Sequence, residues 1–245
     1  MIEKITEFGS LSGVSSPLLP LIFSDGVFSR SDIDGAFIQK SENDDIQAVF
    51  SLKNTCVTLC NIDEKASEEL ESFFSFCGVT EILSDKPVLK LCGNEKELRL
   101  MSCSGEGKEE KDCCSMSSES ALSEYQSVYN VVFETGNNFE NWFPEFSKKV
   151  NSHNALATYL KVGNKVVSVA IAPGIYENCG VVAGVHTLEE YRKKGYASKC
   201  VKSLLDLLNK NGISQIYLWC EEKNISFYKK LNFKNIGKIY FGECK

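Results

Sequence analysis

Tyr191-Arg192-Lys193-Lys194-Gly195-Tyr196-Ala197 decides how this chain is read. It follows a strand-like run, Gly180 to Thr187, and opens an amphipathic segment that reaches about Lys210. A strand, a basic turn with a close-approach glycine and a helix N-terminus together make a place to hold phosphate. The free N–H groups of a first helical turn point one way, and the helix dipole adds partial positive charge. Gly195 admits a ligand to the backbone without a Cβ in the way. Arg192, Lys193 and Lys194 surround that point with cations. A basic cluster alone is as often a solvated corner; the residues downstream tip the balance.

Working outward, Ala197, Cys200, Val201, Leu204, Leu205 and Leu208 recur at helical spacing, so one face of this segment is apolar. Asn211-Gly212 supplies a left-handed stop. Ile216 to Cys220 reads as the next strand, Asn224 to Leu231 as a second helix, and Ile236 to Gly242 as a closing strand. Upstream, Leu122, Tyr125, Tyr129 and Val132 mark a helix. A short helix follows with Trp142, Phe143, Phe146 and Val150, Pro144 falling in its first turn. Three strands come next: Ala155 to Val162, Lys165 to Ala172 and Gly180 to Thr187, the first two joined at Gly163-Asn164. The order ααβββαβαβ predicts an α/β fold of α+β character, with helices on a mixed, mainly antiparallel sheet.

Residues 105–118, rich in Ser, Gly and charge, read as a flexible linker or loop between parts 1–104 and 119–245. The first part repeats the order faintly. Ala36 to Gln39, Gln47 to Leu52 and Cys56 to Cys60 suggest a meander, followed by a helix over Ser67 to Cys77 and a strand over Val79 to Leu83. Placing Gly78 on Gly212 also places Leu70 on Leu204 and Ile82 on Ile216. Only Asn61-Ile62-Asp63-Glu64-Lys65-Ala66 separates strand from helix there, with no glycine, so phosphate binding is not expected in the first part.

The net charge is −6, yet residues 119–245 carry 16 basic against 12 acidic side chains, which suits an anionic ligand. The basic residues are too scattered for nucleic acid. No apolar run of about eighteen residues exists, and the N-terminus lacks the pattern of a secretory leader. The eleven cysteines include no C-x-x-C pair, and most sit in apolar runs. They read as buried thiols of a cytoplasmic protein, with no metal expected.

Two motifs carry a family resemblance. Arg192-Lys193-Lys194-Gly195-Tyr196-Ala197 resembles the Arg/Gln-x-x-Gly-x-Gly/Ala turn of the GNAT acyl-CoA N-acyltransferases. Asn224-Ile225-Ser226-Phe227-Tyr228-Lys229-Lys230-Leu231-Asn232-Phe233 resembles their second motif, an Asn leading a helix with Tyr and a terminal Gly-Phe. Lys193 and Asn232 stand where many relatives have glycine. The resemblance covers residues 120–245 and makes the first part a degenerate copy. It implies that the pyrophosphate of acetyl-CoA rests on the N–H groups from Lys193 to Ala197, with Arg192, Lys193, Lys194, Gly195, Tyr196, Ala197 and Ser198 all among the cofactor-binding residues. It implies that Val185, His186 and Thr187 pair through their backbone with the pantetheine arm. An N–H near Val185 would stabilise the oxyanion. Tyr228 would protonate the leaving thiolate while a primary amine attacks directly. Asn224 would bind pantetheine or order Tyr228, although it also suits a helix N-cap. His186, alternating with Val185 and Thr187, would send its side chain to the other face.

Glu134, Glu177, Glu190 and Glu221 are the candidate general bases by position. Acceptor selection would fall to Trp142, Phe143, Phe146 and the Tyr240-Phe241 region. A different class of function, a non-catalytic acyl-CoA-binding or sensing module, fits the same turn; the presence of Tyr228 favours the enzyme.

Overall fold

The computed structural model describes residues 1–5, 7, 11, 13–28, 34–60, 63, 67–88, 90–105, 107–133 and 138–244. Along the first hundred residues the elements are β1 (Ile2–Lys4), α1 (Leu19–Phe28), β2 (Gly35–Lys40), β3 (Ile46–Lys53) and β4 (Cys56–Cys60). Then come α2 (Ser67–Phe76), β5 (Glu81–Ser84) and β6 (Asn94–Cys103). The chain continues with β7 (Cys113–Ser115), α3 (Leu122–Val132), α4 (Phe139–Asn151), β8 (Leu156–Val162), β9 (Lys165–Tyr176) and β10 (Cys179–Thr187). It ends with α5 (Tyr196–Lys210), β11 (Gln215–Cys220), α6 (Ile225–Lys229) and β12 (Lys234–Glu243). The class is the mixed α/β one expected, and the order from α3 onward is ααβββαβαβ.

Two compact units divide the chain. One comprises Met1–Met101, Trp219–Ile225 and Asn235–Lys245; the other comprises Ser102–Leu218 and Ser226–Lys234. This differs from a simple cut at 105–118, because β12 is a strand of the first unit. There it pairs antiparallel with β5, Phe241 opposite Leu83.

In the first unit the strands run β1-β2-β3-β4-β5-β12-β6. β2, β3 and β4 form an antiparallel meander, and β4 runs parallel to β5 after the α2 crossover. Phe37 stacks on Phe50 at 5.2 Å, and Phe74 meets Phe50 edge-on at 5.2 Å. These rings join Leu52, Leu59, Leu70 and Ile82 in one core.

In the second unit the strands run β11-β10-β9-β8-β7. β8, β9 and β10 form the meander, and β10 runs parallel to β11 after the α5 crossover. Cys200, Val201, Leu204, Leu205 and Leu208 are buried along α5, as its stripe requires. Full burial of each leucine contributes about 1.5–3 kcal/mol.

The two meander-crossover units share several local features. Gly78 and Gly212 both have left-handed φ, 66° and 80°. Each ends its helix with the same pair of bonds: Val79 N–H to Phe74 and Gly78 N–H to Ser75, Ile213 N–H to Leu208 and Gly212 N–H to Asn209. Leu70 and Leu204 are both fully buried, as are Ile82 and Ile216. In the segment preceding α2, only Asp63 lies within the described residues.

Two local differences from expectation have physical causes. The described residues of 105–118 pack on the second unit: Glu110 N–H donates to Ser203 Oγ of α5 at 3.0 Å, and β7 pairs with β8. A Cβ on Gly107 would run into the α5 backbone at Asp206 and Lys202, so that glycine marks close packing. Pro144 is interior to α4, because the helix begins at Phe139.

Candidate functional site

The site is built on β10 and the turn that follows it. β10 pairs with β11 only from Cys179 to Val181, opposite Gln215 to Tyr217. On its other side β10 stays paired with β9 as far as Thr187 opposite Ser168. Val182 to Thr187 therefore leave β11 while remaining in the sheet. In the first unit the parallel pair shows no such divergence: β4 holds register with β5 from Cys56 to Leu59, almost its whole length.

The β9–β10 register shifts between Ala183 and His186, and Gly184 lies inside that shift with φ 59°. A glycine in left-handed conformation within an antiparallel pair makes a bulge and re-aims the residues after it. Val185 and Thr187 are half-buried and the His186 side chain is exposed. The buried Ser168 braces this end of the strand. Its hydroxyl donates to the His186 carbonyl at 3.1 Å and lies 2.8 Å from Thr187 Oγ1.

Beyond Thr187 one 3-10 turn, Glu189–Tyr191, leads to the basic residues. Arg192 folds back, its Nε donating to the Thr187 carbonyl at 3.0 Å. Lys194 also turns back, to the Glu190 carbonyl at 3.1 Å, with Nζ 5.1 Å from the Tyr191 ring centre. Lys193 is exposed and has φ 62°; Gly195 is the N-cap of α5 with φ 80°. Such alternation of backbone conformation turns successive N–H groups toward one side. No side chain caps α5, and Lys199 N–H is the first to bond back, to the Gly195 carbonyl at 3.1 Å. The N–H groups of Tyr196, Ala197 and Ser198 thus have no intrahelical acceptor. An anion fits that cradle.

Tyr228 is half-buried, its ring edge-on to Phe227 at 4.9 Å and to Phe233 at 5.8 Å. Its carbonyl accepts the Phe233 N–H, and the Lys229 carbonyl accepts the Asn232 N–H. With Asn232 at φ 67°, this is a left-handed helix stop with asparagine in the glycine position. The Tyr228–Phe233 contact is the apolar clasp that usually accompanies it. Asn224 closes the 3-10 turn Glu222–Asn224 of the first unit and is exposed, its N–H bonded to the Glu221 carbonyl.

The candidate bases fare differently. Glu177 sits in the β9–β10 turn, at the end of β10 away from Thr187. Glu221 is pushed down to about 2 by Lys223 and Lys96, which leaves it a weak base. Glu190 is held below the usual carboxylate range by its own backbone N–H and by Lys165, 2.9 Å away. Glu134 lies outside the described residues. Among the aromatic candidates, Phe146 is buried in the second unit's core under Trp142, 4.4 Å away, and lines no surface. Trp142 and Phe143 are half-buried, and Tyr240 packs against the first unit's core. Sequence reasoning missed Gly184 and Ser168. An isolated glycine within an apolar strand was the available signal for the bulge.

Among the described residues no helix is long and apolar enough to cross a membrane, and no group of three His, Cys, Asp or Glu is placed to hold a metal.

Solved structures share this fold at low identity. A GNAT-family protein from Novosphingobium aromaticivorans DSM 12444 superposes with a TM-score of 0.61 at 14% identity, covering 94% of this chain and 100% of that one. A GCN5-related N-acetyltransferase from Sphaerobacter thermophilus gives 0.60 at 9% identity, covering 99% and 95%. A tandem GNAT protein from the clavulanic acid biosynthesis pathway gives 0.58 at 8% identity, covering 90% and 87%. No curated protein matches the sequence. The model of the Acetyltransferase (GNAT) family matches residues 119–233, the stretch that holds the diverging β10, the uncapped α5 and Tyr228. Residues 119–233 of the chain thus belong to the GNAT acetyltransferase family.

Proposed function

We propose that the protein transfers an acetyl group from acetyl-CoA to a primary amine, with one active site per chain within residues 119–245. The divergence of β10 from β11 after Val181, leading straight into an uncapped helix N-terminus, is the observation that carries this reading. In it the pyrophosphate rests on the N–H groups from Lys193 to Ala197, the Arg192 N–H being bonded to the Glu189 carbonyl. The pantetheine amides pair with the backbone of Val185, His186 and Thr187, beyond the Gly184 bulge.

The neutral amine nitrogen attacks the thioester carbonyl carbon. The N–H near Val185 donates a hydrogen bond to the developing oxyanion. When the tetrahedral intermediate collapses, the carbon–sulfur bond breaks and Tyr228 gives its hydroxyl proton to the thiolate. The ammonium proton of the tetrahedral intermediate leaves to water as the neutral amide forms, and water reprotonates Tyr228 in turn. No carboxylate base is required, in keeping with the depressed acidity range of Glu221 and Glu190.

The first unit is in this view a GNAT-derived scaffold without a phosphate site. Eleven free cysteines suit a reducing, cytoplasmic setting. The competing reading, a module that binds acyl-CoA without turnover, is separated by a thiol-release assay over a panel of amines. Wild type should release CoA, and Tyr228→Phe should lower kcat by about a hundredfold or more with the KM for acetyl-CoA nearly unchanged. Its ring contacts to Phe227 and Phe233 survive the change. Binding of acetyl-CoA with no thiol released from any amine favours the sensor.

A further inference from the structure

The last registered pair of β9 and β10 sets one hydroxyl against another. Ser168 stands opposite Thr187, and their oxygens lie 2.8 Å apart. The Leu188 N–H donates to the Val167 carbonyl at 3.0 Å. By alternation, Thr187 and Ser168 are then an antiparallel pair of the non-hydrogen-bonded kind, in which side chains approach most closely. By the same alternation the main-chain groups of His186 face β9, and those of Thr187 face the edge that β11 has left.

Two consecutive carbonyls at this end of β10 are each met by a side chain, from opposite edges. Ser168 Oγ donates to the His186 carbonyl at 3.1 Å from the β9 side. Arg192 Nε donates to the Thr187 carbonyl at 3.0 Å from the other. A carbonyl has no proton to give, so Ser168 commits its single hydroxyl proton to His186, and in the contact between hydroxyls Thr187 is the donor. Ser168 is fully buried, so water does not compete for these bonds. The meander itself does not demand them. In the first unit the last pair before the crossover is Val49 opposite Cys60, both buried and neither carrying a hydroxyl.

Resting on the proposed CoA reading, we infer that Ser168 is a positioning residue for the pantetheine arm. It touches no ligand, and holds His186 and Thr187 so that the free edge of β10 runs in line with the phosphate cradle. Gly184, at φ 59°, is the pivot in the strand, and beyond it β9 and β10 share two registered pairs, His186 with Val169 and Thr187 with Ser168. Ser168 adds two bonds at the end of that short ladder. A tilt about Gly184 would carry the Thr187 N–H away from the arm. The cradle would stay in place, because α5 is fixed by its own buried stripe.

The test titrates the full-length chain calorimetrically with acetyl-CoA and with the adenosine bisphosphate half of CoA, which lacks the arm. Ser168→Ala should weaken acetyl-CoA binding by about tenfold and adenosine bisphosphate binding by less than about twofold. In turnover the KM for acetyl-CoA should rise by the same factor, with kcat nearly unchanged. Thr187→Val keeps the shape of the side chain, removes the second hydroxyl and should give the same split. Because the two hydroxyls act as one unit, the double variant should stay within about twofold of the weaker single one. Equal losses for the two ligands, or a lower kcat with KM unmoved, would make Ser168 a structural residue only and overturn the inference. Undiminished acetyl-CoA affinity in both variants would overturn it too, with the proposed function left standing. A wild type that binds no acetyl-CoA would remove the proposed function, and this inference with it.

Discussion

Val181 of β10 stands opposite Tyr217 of β11, and that pair is the last the two parallel strands share. Beyond it the β10 backbone keeps only β9 as a neighbour in register, so its other edge has polar groups to offer a ligand. The same strand then delivers the chain to Gly195. In the proposed reading, the pantetheine arm and the pyrophosphate would follow one another along this single divergence.

Gly195→Glu should reduce affinity for CoA by about a hundredfold or more, read by calorimetric titration. The added carboxylate would stand where the pyrophosphate is proposed to sit. A Cβ at Gly195 meets no atom within 4 Å, so the folding penalty is limited to the left-handed φ, about 1–2 kcal/mol. The melting temperature should fall by only a few degrees. Unchanged affinity would remove the turn from the binding argument.

Lys193→Gly should stabilise the protein. A lysine at φ 62° carries backbone strain that glycine lacks, and the gain, after glycine's larger unfolded entropy, is about 0.5–1 kcal/mol. Losing an exposed cation should weaken CoA binding only a few-fold. A lower midpoint in urea than wild type would contradict this account of the turn.

Glu221→Gln should leave kcat/KM within about twofold of wild type, and should leave the acidic limb of its pH profile in place. A carboxyl at about 2, paired with Lys223 and Lys96, is ionised throughout the working range and takes up no proton there. A tenfold loss, or a displaced limb, would restore Glu221 as a participant.

Stability below pH 4.5 should depend on Glu124. The Tyr159 hydroxyl, 2.7 Å away, and Lys161 at 3.2 Å hold its carboxyl below the ordinary 4.5. The unfolded chain therefore binds that proton more tightly than the folded one. The stabilisation is complete above 4.5 and is lost as pH falls through the folded value. Urea midpoints measured from pH 7 to pH 3 should decline more steeply in wild type than in Glu124→Gln. Parallel declines would discard the pairing as a source of acid sensitivity.

Much of the second unit was legible because its signals are local. The α5 stripe, the Gly212 stop and the basic turn each depend on residues near one another in sequence. Other features answer to partners far along the chain. β6 was not foreseen because Lys96, Glu97 and Arg99 interrupt its apolar pattern; these charges pair instead with Glu221, Lys238 and Glu222. The bulge at Gly184 depends on register with β9. The polarity of 105–118 suggested a flexible linker or loop and gave no sign that Gly107 is small because a helix backbone lies against it. Periodicity does not report which helix a glycine touches.

β12 is the last strand in the chain and a member of the first unit, beside β5. During synthesis the half that leaves the ribosome first therefore cannot finish folding until the final strand emerges. Nor can the halves be separated by one cut near residue 110, since a fragment ending there would expose the backbone edge of β5 that Tyr240 to Glu243 normally cover. Dissecting this protein calls for circular permutation, with β12 relocated ahead of β6, before either half is judged on its own.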